Sequence, residues 1–281
     1  MNINNKPKVS IIMSTFNNAP YLKQAIESVL YQSYNNWELI IINDASVDFT
    51  KDILKQYAKK EKRIHILTNK TNKGLAASLN RGITASKGEL IARLDGDDWW
   101  IDHHKLKKQV AFLIKNQDYG LVGCWANIID ENSQQISNRR YPSTDKDIRN
   151  YILIENCFFH SSVVTRKIIL DKVGYYDTNI KTAEDYNLWL KIGLVSKMQN
   201  LPEFMISYRL NPNGVNATRF KYQIKETLFQ VKEFKKYYPN YYKAIIMWKI
   251  RQFVPRALRV KASGLLVNVM KTSKIPNKTN G

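Results

Sequence analysis

The 281-residue chain holds only two cysteines, Cys124 and Cys157, far apart and in no CxxC or Cys/His zinc spacing. Neither a disulfide framework nor a structural zinc site is indicated, and both thiols are expected to be buried. No apolar stretch is long and charge-free enough to span a bilayer, and the one starting at Val9 is too short for a signal-peptide core. The expected location is therefore the cytoplasm. GxGxxG is missing after that first apolar run, where Ser14-Thr15-Phe16-Asn17-Asn18 stands, and GxxxxGK[ST] occurs nowhere. The fingerprint of a dinucleotide oxidoreductase and the usual phosphate loop are thereby absent. Acidic residues become scarce towards the end: residues 221–281 hold 14 Lys and Arg against 2 Glu, which is +12 of the total net charge of +20. Such a balance calls for a polyanion, and nucleic acid, anionic lipid and nucleotide diphosphates all qualify.

What is present suits a folded protein, with 44% hydrophobic and 24% charged residues, no internal repeat and no low-complexity segment. The length fits one domain with an extension, and disorder is expected only at the last few residues. Runs rich in β-branched residues at 9–14, 38–43, 64–67 and 90–94 predict strands, apolar on both faces as in a buried parallel sheet. Helical spacing lies between them at 21–31, 52–60 and 75–85, with Pro20 near the start of the first. This β-α-β-α-β-α-β order predicts a doubly wound α/β domain. Beyond Gly120 the alternation is less regular, with strand-like 121–129, 158–165 and 204–208 and helix-like 102–114 and 183–192.

Sheets of this kind bind ligands outside the carboxyl ends of their strands. That rim collects Thr15-Phe16-Asn17-Asn18, Asp44-Ala45-Ser46, Thr68-Asn69 and Asp95-Gly96-Asp97-Asp98. Three carboxylates in four positions are costly to gather unless a cation or water neutralises them. Mg²⁺ or Mn²⁺ commonly takes one or two carboxylates while phosphate oxygens fill other positions. The turn therefore reads either as a metal clamp for a diphosphate or as a polar turn in which Asp98 caps the next helix. Asp44 reads either as an acceptor for an imide or ribose hydroxyl or as an Asx turn. Glu184 and Asp185, at the front of a helical pattern, are either favourable to the helix dipole or a general base facing the same rim. His160 reads as a structural histidine, and His103 and His104 as solvated or packed.

Lys8 to Asn17, Glu38-Leu39-Ile40-Ile41-Ile42-Asn43-Asp44-Ala45-Ser46, Asn72-Lys73-Gly74 to Gly82 and Ala92-Arg93-Leu94-Asp95-Gly96-Asp97-Asp98 follow one another in a familiar order, with Ala183-Glu184-Asp185 later. From about residue 7 to 208 the sequence resembles family 2 glycosyltransferases of the bacterial surface-polysaccharide type. The resemblance implies a GT-A fold, an inverting mechanism, a nucleotide-diphosphate sugar donor with UDP as the expected nucleotide, and a glycan or lipid-linked acceptor. It implies that Thr15, Phe16 and Asn17 line the nucleotide pocket and that Asp44 contacts the base. Asp95 and Gly96 would face the ribose or metal, Asp97 would ligate Mn²⁺ or Mg²⁺, and Asp185 would be the catalytic base. Asn80 and Arg93 would lie near the diphosphate or sugar, with Glu184 and His160 on the acceptor side. One departure stands out. Where many relatives carry a histidine after Tyr/Trp-Arg-Xaa, this chain has Tyr208-Arg209-Leu210-Asn211.

These readings divide the chain into a catalytic domain at 1–219, with a nucleotide half to about 119, and a basic helical extension at 220–281. Residues 220–238 fit an amphipathic helix packed beside the catalytic domain, and 241–269 interleave Lys and Arg with Trp and aliphatics, which suits either an anionic membrane surface, on the inner face of the cell membrane, or a basic helical cap closing the domain. A basic nucleic-acid-binding protein and an inactive glycan-binding fold are the rival functions. Neither rival needs the acidic rim to hold a metal, and no nucleic-acid partner is expected.

Overall fold

The computed structural model describes residues 6–211 and 218–254. The strands β1 (Val9–Thr15), β2 (Trp37–Asn43), β3 (Ile64–Thr68) and β4 (Leu90–Arg93) alternate with helices α1 (Ala19–Leu30), α2 (Thr50–Lys60) and α3 (Leu75–Ala85). Then follow β5 (Trp99–Trp100), α4 (Lys105–Lys115), β6 (Tyr119–Ile129), β7 (Gln135–Arg139), α5 (Asp145–Tyr151), β8 (Val164–Arg166), α6 (Lys167–Val173), α7 (Glu184–Val195), β9 (Lys197–Arg209), α8 (Phe220–Glu233) and α9 (Tyr241–Arg251). The sheet runs β3-β2-β1-β4-β8-β6-β9-β5, with β7 on β6. Pairing is parallel from β3 to β4 and between β6 and β9, and antiparallel where β8 joins the two halves.

Every residue of β1 and β2 is buried, because helices cover both faces of this part of the sheet. The period of two sorts their side chains: Ile11 and Met13 join Leu22 and Ile26 of α1 in one core, while Ile12, Ile40 and Ile42 meet Leu79 and Ile83 of α3 in the other. Gly82 of α3 sits where an added Cβ would come within 2.6 Å of Ile42 Cδ1 and 2.7 Å of Ile12 Cγ2. The second core continues through α5, α6 and α7 to Val231 of α8 and Ala244 of α9.

Two expectations are corrected. The strand at 158–165 is reduced to β8, because Ser162 N–H closes a 3₁₀ turn onto Phe159 O (3.0 Å) and turns the Ser161 hydroxyl towards the acidic loop. Asp98 does not cap α4; it is buried and accepts hydrogen bonds from Arg209 N–H (2.8 Å) and Ser161 Oγ (2.5 Å). In the extension, the described part is a cap. Tyr238 OH donates to Leu190 O (2.7 Å), Trp248 Nε1 to Leu153 O (2.8 Å) and Arg251 Nη1 to Ile154 O (2.9 Å). The helix expected at 241–269 is described only to Arg251, and 255–269 lies outside the described residues.

Candidate active site

The loops leaving β1 and β2 are laced together at the rim. Asn17 N–H donates to Ser46 Oγ (3.1 Å), and Val47 N–H returns a bond to Asn17 Oδ1 (2.9 Å). Asp48 caps two helices at once, accepting from Ala19 N–H (3.1 Å) and Thr50 N–H (3.0 Å), and these bonds lower its pKa against the opposing effect of burial. Asn17 and Ala45 both adopt left-handed backbone, φ 52° and 63°. For alanine that conformation costs about 1–2 kcal/mol, held here by the surrounding bonds. Phe16 projects from this lacing, about half exposed.

Asp44 is buried and occupied by the protein. Its carboxylate accepts from Asn69 Nδ2 (2.7 Å), Lys73 N–H (2.8 Å) and Gly74 N–H (2.9 Å), so it fixes the loop that enters α3. It is not the local Asx turn of the simpler reading. Asn80 is likewise committed: its amide donates to Tyr176 O (2.8 Å) and accepts from Tyr176 N–H (3.1 Å). Arg93 is buried, pairs with Asp95 and donates to Ile12 O (3.2 Å). Burial pushes the Asp95 carboxyl up, but the Arg93 guanidinium charge and hydrogen bonds from Ser161 and Arg93 hold it below the usual range.

The rest of the acidic turn titrates upwards. Burial and the neighbouring Asp95 charge push Asp97 to about 6, opposed by a hydrogen bond from Asn211 and the charge of Arg209. Asp98 is raised well above its ordinary value by burial and by Asp97 and Asp95. Arg209 anchors the turn: its Nε donates to Asp97 O (2.9 Å), its Nη1 to Asp130 O and Glu131 O (both 2.9 Å), and its guanidinium lies 4.1 Å from the centre of the Tyr21 ring. Gly96 faces the β1 loop, where an added Cβ would stand 3.1 Å from Asn18 Nδ2 and 3.2 Å from Thr15 Oγ1. That Thr15 hydroxyl is buried without a hydrogen-bond partner.

Glu184 and Asp185 open α7 beside this turn. Glu184 is buried, and burial with the Asp185 charge pushes it to about 8. Asp185 is partly exposed; burial and Asp95 push it to about 6, against hydrogen bonds from Tyr186 N–H (2.6 Å) and Asn156 Nδ2 (2.9 Å). The charge of Asp95 acts on both residues. His160 is buried against Tyr176 OH (2.7 Å), and burial and Arg93 hold it near pKa 3, which makes it a neutral structural group. Sequence reasoning missed Ser161, the anchoring role of Arg209 and the double cap of Asp48; only the conspicuous Asp-Gly-Asp-Asp turn hinted that such support was needed.

The residues present fit a divalent cation in one way. No group of three or more His, Cys, Asp or Glu side chains that could hold a metal occurs among the described residues. Asp95 and Asp97 supply the one or two carboxylates that Mg²⁺ uses when phosphate oxygens complete its shell, and the raised Asp97 marks negative charge that a cation would relieve. The donors therefore suit a metal that arrives with a diphosphate.

The fold is that of a GT-A glycosyltransferase. The chain belongs to Glycosyl transferase family 2, which it matches over residues 10–173. It is 32% identical over 219 residues to the Escherichia coli O-antigen biosynthesis glycosyltransferase WbnJ, covering 76% of this chain and 84% of that one. A Bacillus subtilis protein named for teichuronic acid biosynthesis, TuaG, is 30% identical over 241 residues, with 82% and 90% covered. Among solved structures, the Pyrobaculum calidifontis mannosyltransferase PcManGT in complex with GDP-Man and Mn²⁺ superposes with a TM-score of 0.67 at 16% identity, covering 97% of this chain and 77% of that one. Staphylococcus aureus TarS in complex with UDP-GlcNAc gives 0.65 at 18% identity, over 80% of this chain and 66% of that one. Among the described residues no helix is long and apolar enough to cross a membrane.

Proposed function

We propose that this glycosyltransferase inverts configuration while moving one sugar from a nucleotide-diphosphate donor, with UDP as the nucleotide, to a hydroxyl of a glycan or lipid-linked acceptor in surface-polysaccharide synthesis. The observation that carries this reading is Asp185, partly exposed at the start of α7, within electrostatic reach of the Asp95-Gly96-Asp97 turn. In a single displacement Asp185 takes the acceptor hydroxyl proton. The oxygen attacks the anomeric carbon from the face opposite the diphosphate, the bond to the diphosphate breaks, and the nucleoside diphosphate leaves with the electron pair. A Mn²⁺ or Mg²⁺ ion on Asp97 would supply charge stabilisation to the departing diphosphate. Thr15, Phe16 and Asn17 line the nucleotide side in this reading, with the unpartnered Thr15 hydroxyl available to the donor.

Nucleotide sugars bound to the two structural neighbours support the donor class, and the Mn²⁺ of PcManGT supports the metal. The acidic rim argues against nucleic acid as partner. An anionic membrane surface is proposed as the second partner, reached through the extension. The test is nucleotide release from UDP-, GDP- and dTDP-sugars with Mn²⁺ or Mg²⁺. Release should require the cation and be lost in Asp97→Ala; full turnover in excess EDTA would refute metal dependence, and release from GDP-sugars alone would replace UDP.

A further inference from the structure

The segment 181–183, directly before the acidic pair, has no regular structure, and its backbone is held from outside by α8. Glu226 accepts from Lys181 N–H (2.9 Å), Thr182 N–H (2.8 Å) and the Thr182 hydroxyl (2.6 Å). On the same face of the helix, Gln223 Nε2 donates to Thr182 O (3.2 Å), and the buried Gln230 donates through Nε2 to Ala183 O (3.1 Å). The spacing of 223, 226 and 230 is the i, i+3, i+7 of one helical face. Glu226 is one of two carboxylates in residues 221–281, a region with 14 cationic side chains, yet it turns inward onto two backbone amides.

We propose that Glu226, with Gln223 and Gln230, is a positioning group for sugar transfer: α8 fixes the start of α7 and thereby aims Asp185 at the acceptor oxygen. The inference rests on the reading of Asp185 as base. Removing the carboxylate takes the shared acceptor from two amides and a hydroxyl at Lys181 and Thr182, four and three residues before Asp185. A displacement of the base by about 1 Å can lower the rate by roughly 10²-fold while a nucleotide held at the ends of β1 and β2 is unaffected.

The test compares Glu226→Ala, Glu226→Gln, Asp185→Asn and Tyr238→Phe in the full chain. Tyr238→Phe removes a hydrogen bond from the same extension to Leu190 without touching 181–183. Glu226→Ala should bind UDP with Mn²⁺ as tightly as the wild type by calorimetry and keep its donor KM. Its kcat should fall about 10- to 100-fold, and its amides at Lys181 and Thr182 should exchange hydrogen faster. Glu226→Gln, which keeps one carbonyl oxygen for Thr182, should recover part of kcat, and Tyr238→Phe should match the wild type. Unchanged kcat in Glu226→Ala despite faster exchange overturns the proposal. So does loss of UDP binding in step with kcat, the mark of a folding role. If Glu226→Ala does not fold, Glu226→Gln decides by the same split between kcat and donor affinity. An active Asp185→Asn would sink the base assignment itself; an inactive one beside a fully active Glu226→Ala would sink only the positioning role.

Discussion

Two adjacent carboxylates at the start of α7 occupy different environments, and the proposed mechanism gives them different work. Glu184 is buried and pushed to about 8, so at neutral pH its protonated form dominates and it is a poor base. Asp185, at about 6 and partly exposed, is ionised at neutral pH and open to an acceptor. Asp185→Asn should cut sugar transfer by roughly 10² to 10⁴ with donor affinity preserved, and wild-type transfer should fall as pH drops below about 6; near-normal transfer by the variant would exclude Asp185. Glu184→Gln reports through stability instead. Its folded pKa lies above the ordinary 4.5, so the folded state holds the extra proton and stability falls as pH rises towards about 8. His160, lowered from 6.5 to about 3, acts in the opposite direction below 6.5, which leaves pH 6.5–8 as the informative window. Thermal midpoints without metal should decline across that window, and Glu184→Gln should decline less; parallel declines would show that the charge on Glu184 is already relieved. The sequence resemblance pointed to the second carboxylate, but which of the pair is open depends on packing around α7 that no local pattern encodes.

At the scale of elements, β1 to β4 and their helices were readable because double-sided burial writes unbroken β-branched runs, and helices on a sheet write a 3.6-residue period. The two-residue β5 was not readable: Trp99 and Trp100 form a strand only because β9 lies beside them, pairing Trp99 with Ser207 and Trp100 with Ile206. The strand expected at 158–165 shrank to β8 for a related reason, since Ser161 answers to the acidic turn rather than to a ladder. Asp44 shows how an element boundary carries function. Its carboxylate ends β2 yet organises Lys73 and Gly74 before α3; without it the Lys73 N–H loses its acceptor, while Asn69 keeps Ser78 Oγ and Gly74 keeps Asn72 Oδ1. Asp44→Ala should therefore destabilise the fold by about 1–3 kcal/mol, the cost of leaving a donor unmet, and should weaken nucleotide binding through loop disorder as much as through any lost base contact. Denaturant unfolding with and without UDP separates the two: weakened binding with unchanged stability would make the base contact the whole effect.

Across the whole molecule, charge and apolar surface are distributed unevenly. The sequence showed the basic bias of the extension but left open a cap or a membrane surface, because basic residues interleaved with Trp and aliphatics suit both. In the structure α9 has two unlike sides. Ala244 and Trp248 pack inward, with Trp248 bonded to Leu153 O, while Tyr242 (81% exposed), Ile246 (58%), Ile250 (52%) and Phe253 (80%) form an outward stripe with exposed Lys243 and Lys249. After Glu233 the sequence has eleven Lys and Arg and no Asp or Glu, a balance that favours an anionic lipid surface. Each such cation near the surface contributes about 1 kcal/mol, and the stripe adds apolar burial to that attraction. The protein should co-sediment with phosphatidylserine-containing vesicles, only weakly with neutral ones, and less at high salt. Ile246→Glu with Ile250→Glu places charge on the stripe while sparing the packed face, and should abolish vesicle binding with unchanged nucleotide release from the soluble donor. Binding that survives the double variant but is lost when residues 255–281 are removed would move the contact from α9 to the segment that follows it. Release that collapses along with binding would instead show that the outward stripe belongs to the catalytic fold.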